Sequence, residues 1–448
     1  MMTMTSFRPQ AVRLDRVLLL LTSMVVLIDW LNGVLWYTLG ASYSLAALFK
    51  AILLAGFIAR SWQLCRTELY APIVLMLLML PGPLYVALLN DQLFIWQDLQ
   101  LIAKAGALLI ALAYFSAFAR KDPAAFLRWL DWFVLGGYAL LLVNFCLGLA
   151  GYGDTAYQPM EEVAQKFLGV KGFFISTNEL SALLLVLSCW LLLRTWQVKR
   201  WCYPLVSLAS LLMAGLMLTK TGLFGSLSLI ILIPFLLTPR HSYRYVLRHY
   251  WRRLLILALV LLSLLLALVL HFTALLQWVG IYDKLLFAYQ QRGLAGIILS
   301  SRDYYLLRNF TAVSEHYAEW LQLFGVGQGG VQLLLKKYFI ELDLFDLLLF
   351  YGLAGALLYV LSFWRILWLT ASRLPRASAA APVLLLNALL LVVSLLAGHV
   401  LTSGMLWLPW ALVNVGVLAQ SFFGPQPAAG VTQSATVLAE NVRDERSA

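Results

Sequence analysis

DLFDLLLFYGLAGALLYVLSFWRILW, at residues 343–368, is the stretch of this sequence that decides the fold class. It has three charged side chains, Asp343, Asp346 and Arg365, and all three lie near its ends. As an α-helix of this length it would extend about 39 Å, whereas the hydrocarbon core of a bilayer is roughly 30 Å thick. The stretch therefore predicts a transmembrane helix.

Similar apolar runs recur along the 448-residue chain, of which 62% is hydrophobic and 12% charged. Soluble domains contain about 45–50% apolar residues, so the composition excludes an ordinary soluble globule. We expect an all-α polytopic integral membrane protein with about twelve transmembrane helices. The predicted spans are residues 17–38, 42–60, 70–89, 100–119, 127–150, 179–196, 202–219, 222–238, 254–272, 343–368, 383–401 and 405–422.

The basic residues between these spans predict the orientation, because cationic loops are retained on the cytoplasmic side. They concentrate in alternate loops, for example around Arg120-Lys121, Lys199-Arg200 and Arg252-Arg253. We therefore expect a cytoplasmic N-terminus at residues 1–16, a transmembrane domain at 17–422 and a disordered cytoplasmic tail at 423–448. The net charge of +11 is dispersed over these segments, so no nucleic-acid footprint is predicted.

Two exported segments are long enough to carry chemistry, residues 151–178 and the large polar loop at residues 273–342. In the large loop, Arg302 and Arg308 offer planar guanidinium groups that match phosphate oxygens in pairs. A structural alternative for Arg302 is an ion pair with Asp303 or Glu315. The four cysteines have no paired spacing, so neither a disulfide nor a metal site is expected.

Three lysines near the exported side are candidates for binding an anion. Lys220 lies in the short turn between two spans, and snorkelling to the interface explains it equally well. Lys171 and Lys166 lie in the first exported segment, where Ser176, Thr177 and Glu179 are accounted for by helix capping. Snorkelling also accounts for Lys50 and Lys104, which lie near predicted span ends.

A group of carboxylates opens the span at residue 343 and supplies the candidate general bases. Glu341, Asp343 and Asp346 fall within six residues, which is more acidic charge than helix capping requires. Asp343 and Asp346 share a helix face, and either could accept a proton from a sugar hydroxyl if its pKa were raised. His316 and His399 are further possible bases.

Several short motifs resemble those of the O-antigen polymerase and O-antigen ligase superfamily of bacterial envelopes. The resemblance covers about residues 70–420 as topology, and its motifs are short. They are Lys171-Gly172-Phe173 followed by Asn178, Thr219-Lys220-Thr221-Gly222, Ser301-Arg302, Phe324-Gly325-Val326-Gly327 and Tyr351-Gly352-Leu353-Ala354-Gly355.

This resemblance implies a GT-C-like fold and a metal-independent, inverting glycosyltransferase at the periplasmic face of the bacterial inner membrane, with no cofactor. The donor would be an oligosaccharide on undecaprenyl pyrophosphate, and membrane lipid and a chain-length regulator protein would be further partners. Arg302 matches the family's pyrophosphate-binding arginine in the large loop. The corresponding first-loop position is Lys171 or Lys166, and Lys220 and Arg308 would assist.

The residues before the tenth span separate the two branches of the family. Ligases carry a His-Asn pair there, whereas this chain has Glu341-Leu342-Asp343. The resemblance therefore favours a polymerase that joins lipid-linked repeat units into O-antigen, exopolysaccharide or capsule, with Glu341 or Asp343 in place of the histidine. The alternatives are an O-antigen ligase acting on lipid A-core and a lipid-linked glycan flippase or secondary transporter.

Overall fold

The computed structural model describes residues 9–40, 45–90, 95–157, 168–238 and 299–424, with single positions between 286 and 293. The predicted span at 254–272, Lys166, and the tail beyond residue 424 lie outside these residues. The helices are α1 Pro9–Ser23, α2 Val25–Leu39, α3 Leu45–Leu78, α4 Pro81–Leu89, α5 Ile95–Lys121, α6 Pro123–Leu149, α7 Thr177–Val198, α8 Tyr203–Met217, α9 Lys220–Leu237, α10 Arg302–His316, α11 Glu319–Phe324, α12 Gly327–Leu334, α13 Asp343–Ala371, α14 Ala380–Leu396 and α15 Trp407–Gln420.

The described part of the chain is almost entirely helical. Seven helical segments are long and apolar enough to cross a membrane, or eight if the bent pair α1 and α2 forms one span. The strands are β1 (Asp154–Thr155) and β2 (Val170–Gly172), which pair antiparallel in the first exported segment. The protein is therefore an all-α protein with the long apolar helices of an integral membrane protein.

The helical stretch Leu45–Leu89 reverses direction at Cys65, whose backbone is not helical. Lys50 lies on the arm before the break, and it approaches the same glycine, Gly404, as Lys104 of α5. After the break, Met76 packs against Gly106, close to Lys104 along α5. The two arms therefore lie antiparallel beside α5.

Ion pairs join the helices at the end of the bundle that the sequence assigns to the cytoplasm. Glu68 lies 2.7 Å from Arg365 and 3.6 Å from Arg120, and Asp131 lies 2.7 Å from Arg194. The polar segments 154–172 and 299–342 lead into the opposite ends of the helices. The charged residues of the described chain are thus divided between the two ends of the bundle, apart from one inner group described below.

Helix α15 lies at the centre of the bundle, since every residue from Trp407 to Ala419 is buried. Polar side chains join it to α14: Trp410 Nε1 donates to Asn387 Oδ1 at 2.8 Å, and Asn387 Nδ2 donates to Asn414 Oδ1 at 2.8 Å. Small clusters of this kind are typical of contacts between membrane helices, where burial of apolar surface adds little.

Two of the glycine motifs meet where α13 is broken. Gly352 has a φ of +58°, and a Cβ there would lie 1.9 Å from the carbonyl oxygen of Leu323. A Cβ at Gly325, in turn, would lie 2.3 Å from the carbonyl oxygen of Phe350. Both positions therefore require glycine, and the Phe324–Gly327 and Tyr351–Gly355 motifs serve close backbone packing.

Candidate functional site

The centre of the candidate site is the segment 397–406, which joins α14 to α15 and which we call the buried loop. It is not helical, and most of its residues, including Val400, Leu401 and Ser403, are inaccessible to solvent. The sequence predicted a helix through residue 401, but α14 ends at Leu396. Non-helical backbone inside a membrane bundle is tolerated only where its polar groups find partners within the protein.

Asp343, in the first turn of α13, supplies those partners. Its carboxylate accepts hydrogen bonds from Ser394 Oγ at 3.0 Å, His399 N at 2.8 Å, Val400 N at 2.8 Å, Leu401 N at 2.9 Å and Thr402 Oγ1 at 2.8 Å. With five donors, the two oxygens of this fully buried carboxylate have their acceptor capacity occupied. These hydrogen bonds give Asp343 a structural role, because they hold the buried loop; its role as a general base stays a prediction.

Asp346 has the same role for the segment before α13. Its carboxylate accepts from the backbone N–H groups of Ile340 at 2.8 Å, Glu341 at 3.0 Å and Leu342 at 3.1 Å. The side chain is buried, so these hydrogen bonds give it a structural role. Its assignment to substrate binding stays a prediction.

These two aspartates hold Glu341 and His399 in unusual backbone conformations next to each other. Glu341 has a φ of +66° and His399 a φ of +56°. Between them, Gly398 packs so closely that a Cβ on it would lie 2.3 Å from the carbonyl oxygen of Glu341. Such conformations cost of order 1–3 kcal/mol each and cluster at functional sites.

The other residues with this conformation lie around the same point. Among the described residues, the positive-φ positions that are not glycine are Leu218, Ser300, Ser301, Glu341 and His399. Ser301 directly precedes Arg302, which contacts Glu341, and Ser300 contacts Lys220, two residues after Leu218. All five therefore belong to a single region, at the end of the bundle opposite the ion pairs of Glu68 and Asp131.

Arg302 and Glu341 form the centre of this region. Arg302 Nη2 donates to Glu341 Oε2 at 2.8 Å, and Nη1 donates to the carbonyl oxygen of Leu396 at 3.3 Å. Its Nε is buried and has no hydrogen-bond partner in the described part of the chain. The predicted structural partners Asp303 and Glu315 are thus not the ion-pair partner of Arg302; Glu341 is.

Glu341 is surrounded by cations. Lys337 Nζ lies 3.5 Å from Glu341 Oε1, opposite the oxygen that Arg302 binds. Burial acts to raise the pKa of Glu341, but Arg302, Lys337 and His399 together outweigh burial and hold that pKa below its usual value. Glu341 is therefore an ionised carboxylate shared by at least two cations.

The turn before α9 and the first exported segment also reach this region. Lys220 Nζ donates to Ser300 Oγ at 3.2 Å, two residues from Arg302. Tyr157 donates its hydroxyl to the carbonyl oxygen of Leu218 at 3.2 Å. Burial raises the pKa of Tyr157, and Arg302 is near enough to oppose that rise. Arg302, Lys220, Lys337, Glu341 and Tyr157 thus form one polar cluster, which we call the outer site.

Arg308 lies one and a half turns further along α10 and serves packing. It donates to Asn309 Oδ1 and to the carbonyl oxygen of Lys337, and its guanidinium lies 5.0 Å from the ring centre of Tyr305. These contacts fix the segment that carries Lys337 and Glu341. Arg308 therefore positions the outer site through that segment.

Lys171 has contacts of its own outside the outer site. Its Nζ lies 3.4 Å from Asp154 Oδ2 and 5.9 Å from the ring centre of Trp36. The structure thus gives the two predicted anion-binding cations, Lys171 and Arg302, separate carboxylate partners. Lys171 belongs to the β1–β2 hairpin and its aromatic neighbours.

His316 is exposed at the opposite end of α10 from Arg302, about 21 Å along the helix axis. Its Nδ1 lies 2.8 Å from the carbonyl oxygen of Ala312, one turn earlier. The structure therefore does not bring His316 to the outer site, whereas His399 does reach it.

Lys337 and Tyr157 belong to the outer site without having been singled out from the sequence. The four-residue spacing between Lys337 and Glu341 is the sequence signal that could have identified Lys337. No sequence signal points to Tyr157. Within the described residues no group of three or more His, Cys, Asp or Glu side chains is arranged to hold a metal ion. No protein-family model matches this chain, and comparison with curated proteins gives no match.

Proposed function

We propose that this chain polymerises oligosaccharide repeat units carried on undecaprenyl pyrophosphate, as an inverting glycosyltransferase of the bacterial inner membrane. The observation that carries the proposal is the outer site. It contains a partly buried arginine whose Nε has no partner among the described residues, two lysines, and an ionised glutamate on strained backbone. A pyrophosphate needs clustered donors, and a sugar hydroxyl needs a carboxylate base.

In the proposed reaction a hydroxyl of the acceptor sugar attacks the anomeric carbon of the donor. The bond between that carbon and the pyrophosphate oxygen breaks, and its electron pair leaves with the pyrophosphate. Arg302, Lys220 and Lys337 would stabilise the leaving charge, and Glu341 would take the proton of the attacking hydroxyl. The donor is already activated on its lipid, so neither a nucleotide nor a metal ion is required.

The ion pair between Arg302 and Glu341 couples donor binding to base strength in this scheme. Arg302 is one of the cations that lower the pKa of Glu341. When pyrophosphate binds Arg302, it replaces the carboxylate and neutralises the guanidinium. The pKa of Glu341 then rises, and Glu341 becomes a stronger base only after the donor is bound.

The proposed arrangement in the membrane has twelve spans, a GT-C-like fold, cytoplasmic termini and the outer site at the periplasmic face. It is supported by the antiparallel arms at Cys65 and by the basic ion pairs at the opposite end of the bundle. A chain-length regulator protein would be an additional partner. Membrane lipid would surround the exposed apolar faces.

One observation favours a ligase as the second candidate. His399 lies next to Glu341 and contributes to its pKa, although it comes from the segment between α14 and α15. Family ligases carry a histidine before the span that corresponds to residues 343–368. His399 at the outer site could act as the base in place of that histidine. A ligase would transfer finished polymer to lipid A-core or to another acceptor.

The test is a gel of surface polysaccharide from the source cell after deletion of this gene, complemented with wild type, Arg302→Ala, Glu341→Gln or His399→Ala. A polymerase predicts that deletion leaves single repeat units and that neither Arg302→Ala nor Glu341→Gln restores the ladder. Long lipid-linked chains that fail to reach their acceptor, with His399 essential, would indicate a ligase. An unchanged ladder after deletion would rule out both.

A further inference from the structure

A second group of charged side chains lies among the apolar helices. It consists of Asp29 on α2, Lys50 on α3, Lys104 on α5 and Glu179 in the first turn of α7, which we call the inner cluster. Placing a charged residue in the interior of a bilayer costs about 2.5–3.5 kcal/mol on insertion scales. Four such residues from four helices therefore require an explanation.

One pair within the inner cluster is satisfied. Lys50 Nζ donates to Asp29 Oδ1, and both side chains are almost fully buried. Snorkelling, which the sequence suggested for Lys50, is thus replaced by an internal ion pair. Glu179 accepts from Ser403 Oγ and from the backbone N–H of Met405, so it holds the far end of the buried loop.

Two groups of the inner cluster are not satisfied within the described part of the chain. Asp29 is only 6% exposed, and its Oδ2 is buried without a hydrogen-bond partner. Lys104 forms no ion pair within 4.0 Å with any described carboxylate, although its charge is near Asp29. The buried acceptor Asp29 Oδ2 therefore remains unmatched, which is unusual in a folded protein. The Lys104 ammonium is the nearby donor that has no described carboxylate partner.

Gly404 lies beside the two lysines of the inner cluster. A Cβ at this position would lie 3.5 Å from Lys104 Cε and 4.0 Å from Lys50 Nζ, and no other atom would lie within 4 Å of it. Gly404 is partly exposed, whereas its neighbours Ser403 and Met405 are buried. The two lysines thus border a small open space above a residue that has no side chain.

The buried loop passes close to both the outer site and the inner cluster. The buried loop carries His399 at one end, where Asp343 holds it, and Gly404 at the other, where Glu179 holds its neighbours. His399 and Gly404 are five residues apart, so at most about 18 Å of backbone separates the two regions.

We propose that the inner cluster binds one sugar residue of the glycan, through a pair of neighbouring hydroxyl groups. One hydroxyl oxygen accepts from Lys104, and the other hydroxyl donates to Asp29 Oδ2. The two lysines and two carboxylates are balanced in charge, so the cluster does not select for an anion, whereas a neutral diol matches one free donor and one free acceptor. This inference rests on the proposed function, since it takes the glycan as the substrate.

The test measures binding of two lipids to the purified, full-length protein by native mass spectrometry. One is undecaprenyl-pyrophosphate oligosaccharide extracted from the source cell lacking this gene; the other is undecaprenyl pyrophosphate without glycan. The variants are Lys104→Met, Gly404→Leu, which fills the space but keeps all charges, and Arg302→Ala. Lys199→Met, an exposed lysine at the other end of α7, is the matched control.

We expect Lys104→Met and Gly404→Leu to weaken binding of the glycan-bearing lipid at least about tenfold and to leave binding of the glycan-free lipid within about twofold. Arg302→Ala should weaken both lipids, and Lys199→Met neither. Unchanged binding of the glycan-bearing lipid by both inner-cluster variants would overturn the inference, as would an equal loss for both lipids. If Arg302→Ala changed neither lipid, the proposed pyrophosphate site would fail instead.

Discussion

Arg302 and Glu341 are joined by a charge-assisted hydrogen bond of 2.8 Å across 39 positions of sequence. The arginine begins α10 and the glutamate precedes α13. The pair is partly buried, with the arginine side chain 11% exposed, so its charges interact more strongly than those of a surface pair. In the proposed reaction the arginine binds the pyrophosphate, and the glutamate takes the proton of the acceptor hydroxyl.

The first prediction concerns Arg302 itself. Arg302→Ala should lower the rate of repeat-unit joining by roughly 10²–10³-fold, because a donor to the developing charge is lost. Arg302→Lys should recover only part of this rate, since an ammonium lacks the paired donors of a guanidinium. The measurement is release of undecaprenyl pyrophosphate by purified protein, with the exposed Arg200→Ala as the control.

The second prediction uses the pKa of Glu341. A base must be deprotonated, so the rate should fall as the pH falls through this pKa, which Arg302, Lys337 and His399 hold down. Lys337→Met removes one of these cations and should move the acid limb of the pH–rate profile to higher pH. Lys336→Met, which alters the exposed neighbouring lysine, should leave the profile in place. A shift to lower pH with Lys337→Met would contradict the assignment.

The lowered pKa of Glu341 also predicts that the stability of the fold depends on pH. The folded-state pKa of Glu341 lies below 4.5, its usual value, so its ionised form stabilises the fold above that pH. This contribution should be lost as the pH falls from 4.5 through the lowered pKa. The melting temperature of Glu341→Gln should therefore lie below that of wild type at neutral pH, and the two melting temperatures should converge in acid.

The third prediction distinguishes a structural role of Asp343 from a catalytic role. Asp343→Asn leaves at least two of its five donors without an acceptor, and each costs about 1–3 kcal/mol. The melting temperature should fall clearly, and the loss should exceed that of Glu341→Gln. Asp122→Asn is the matched control, because Asp122 is an exposed helix cap and asparagine caps equally well. An Asp343→Asn protein with wild-type stability but no activity would support the general-base hypothesis.

The fourth prediction concerns the contact between Gly398 and Glu341. Gly398→Ala would place a Cβ 2.3 Å from the Glu341 carbonyl oxygen on a residue with a φ of +60°. The substitution should displace Glu341 or the buried loop and abolish activity. Gly136→Ala is the control, because a Cβ there meets nothing within 4 Å.

The sequence predicted the apolar helices because each carries its own signal of length and composition. Arg302, Lys220 and Glu341 were also identified from it, since cations and carboxylates are rare in this chain and concentrate near exported turns. The structure adds that these three lie in one cluster with Tyr157 and Lys337.

The predicted spans left a turn at residues 402–404, but the sequence did not predict that the buried loop begins at residue 397, because residues 397–401 are apolar enough to continue the preceding helix. A tertiary contact ends α14: the Asp343 carboxylate accepts hydrogen bonds from the backbone N–H groups of residues 399–401, which lie 56 to 58 positions further along the chain. For the same reason Asp343 and Asp346 looked like reactive carboxylates in the sequence, where their backbone donors are not apparent. The pairing of Lys50 with Asp29 likewise depends on packing between α2 and α3.

The most direct test of the central claim is reconstitution of the purified protein in liposomes with undecaprenyl-pyrophosphate-linked repeat units. We predict glycan products longer than one repeat and a matching release of undecaprenyl pyrophosphate. Both products should still form when a metal chelator is present. Both should be lost in Arg302→Ala and Glu341→Gln proteins that are folded, as shown by a cooperative thermal unfolding transition. Chain growth that continues at the wild-type rate in both variants would contradict the account.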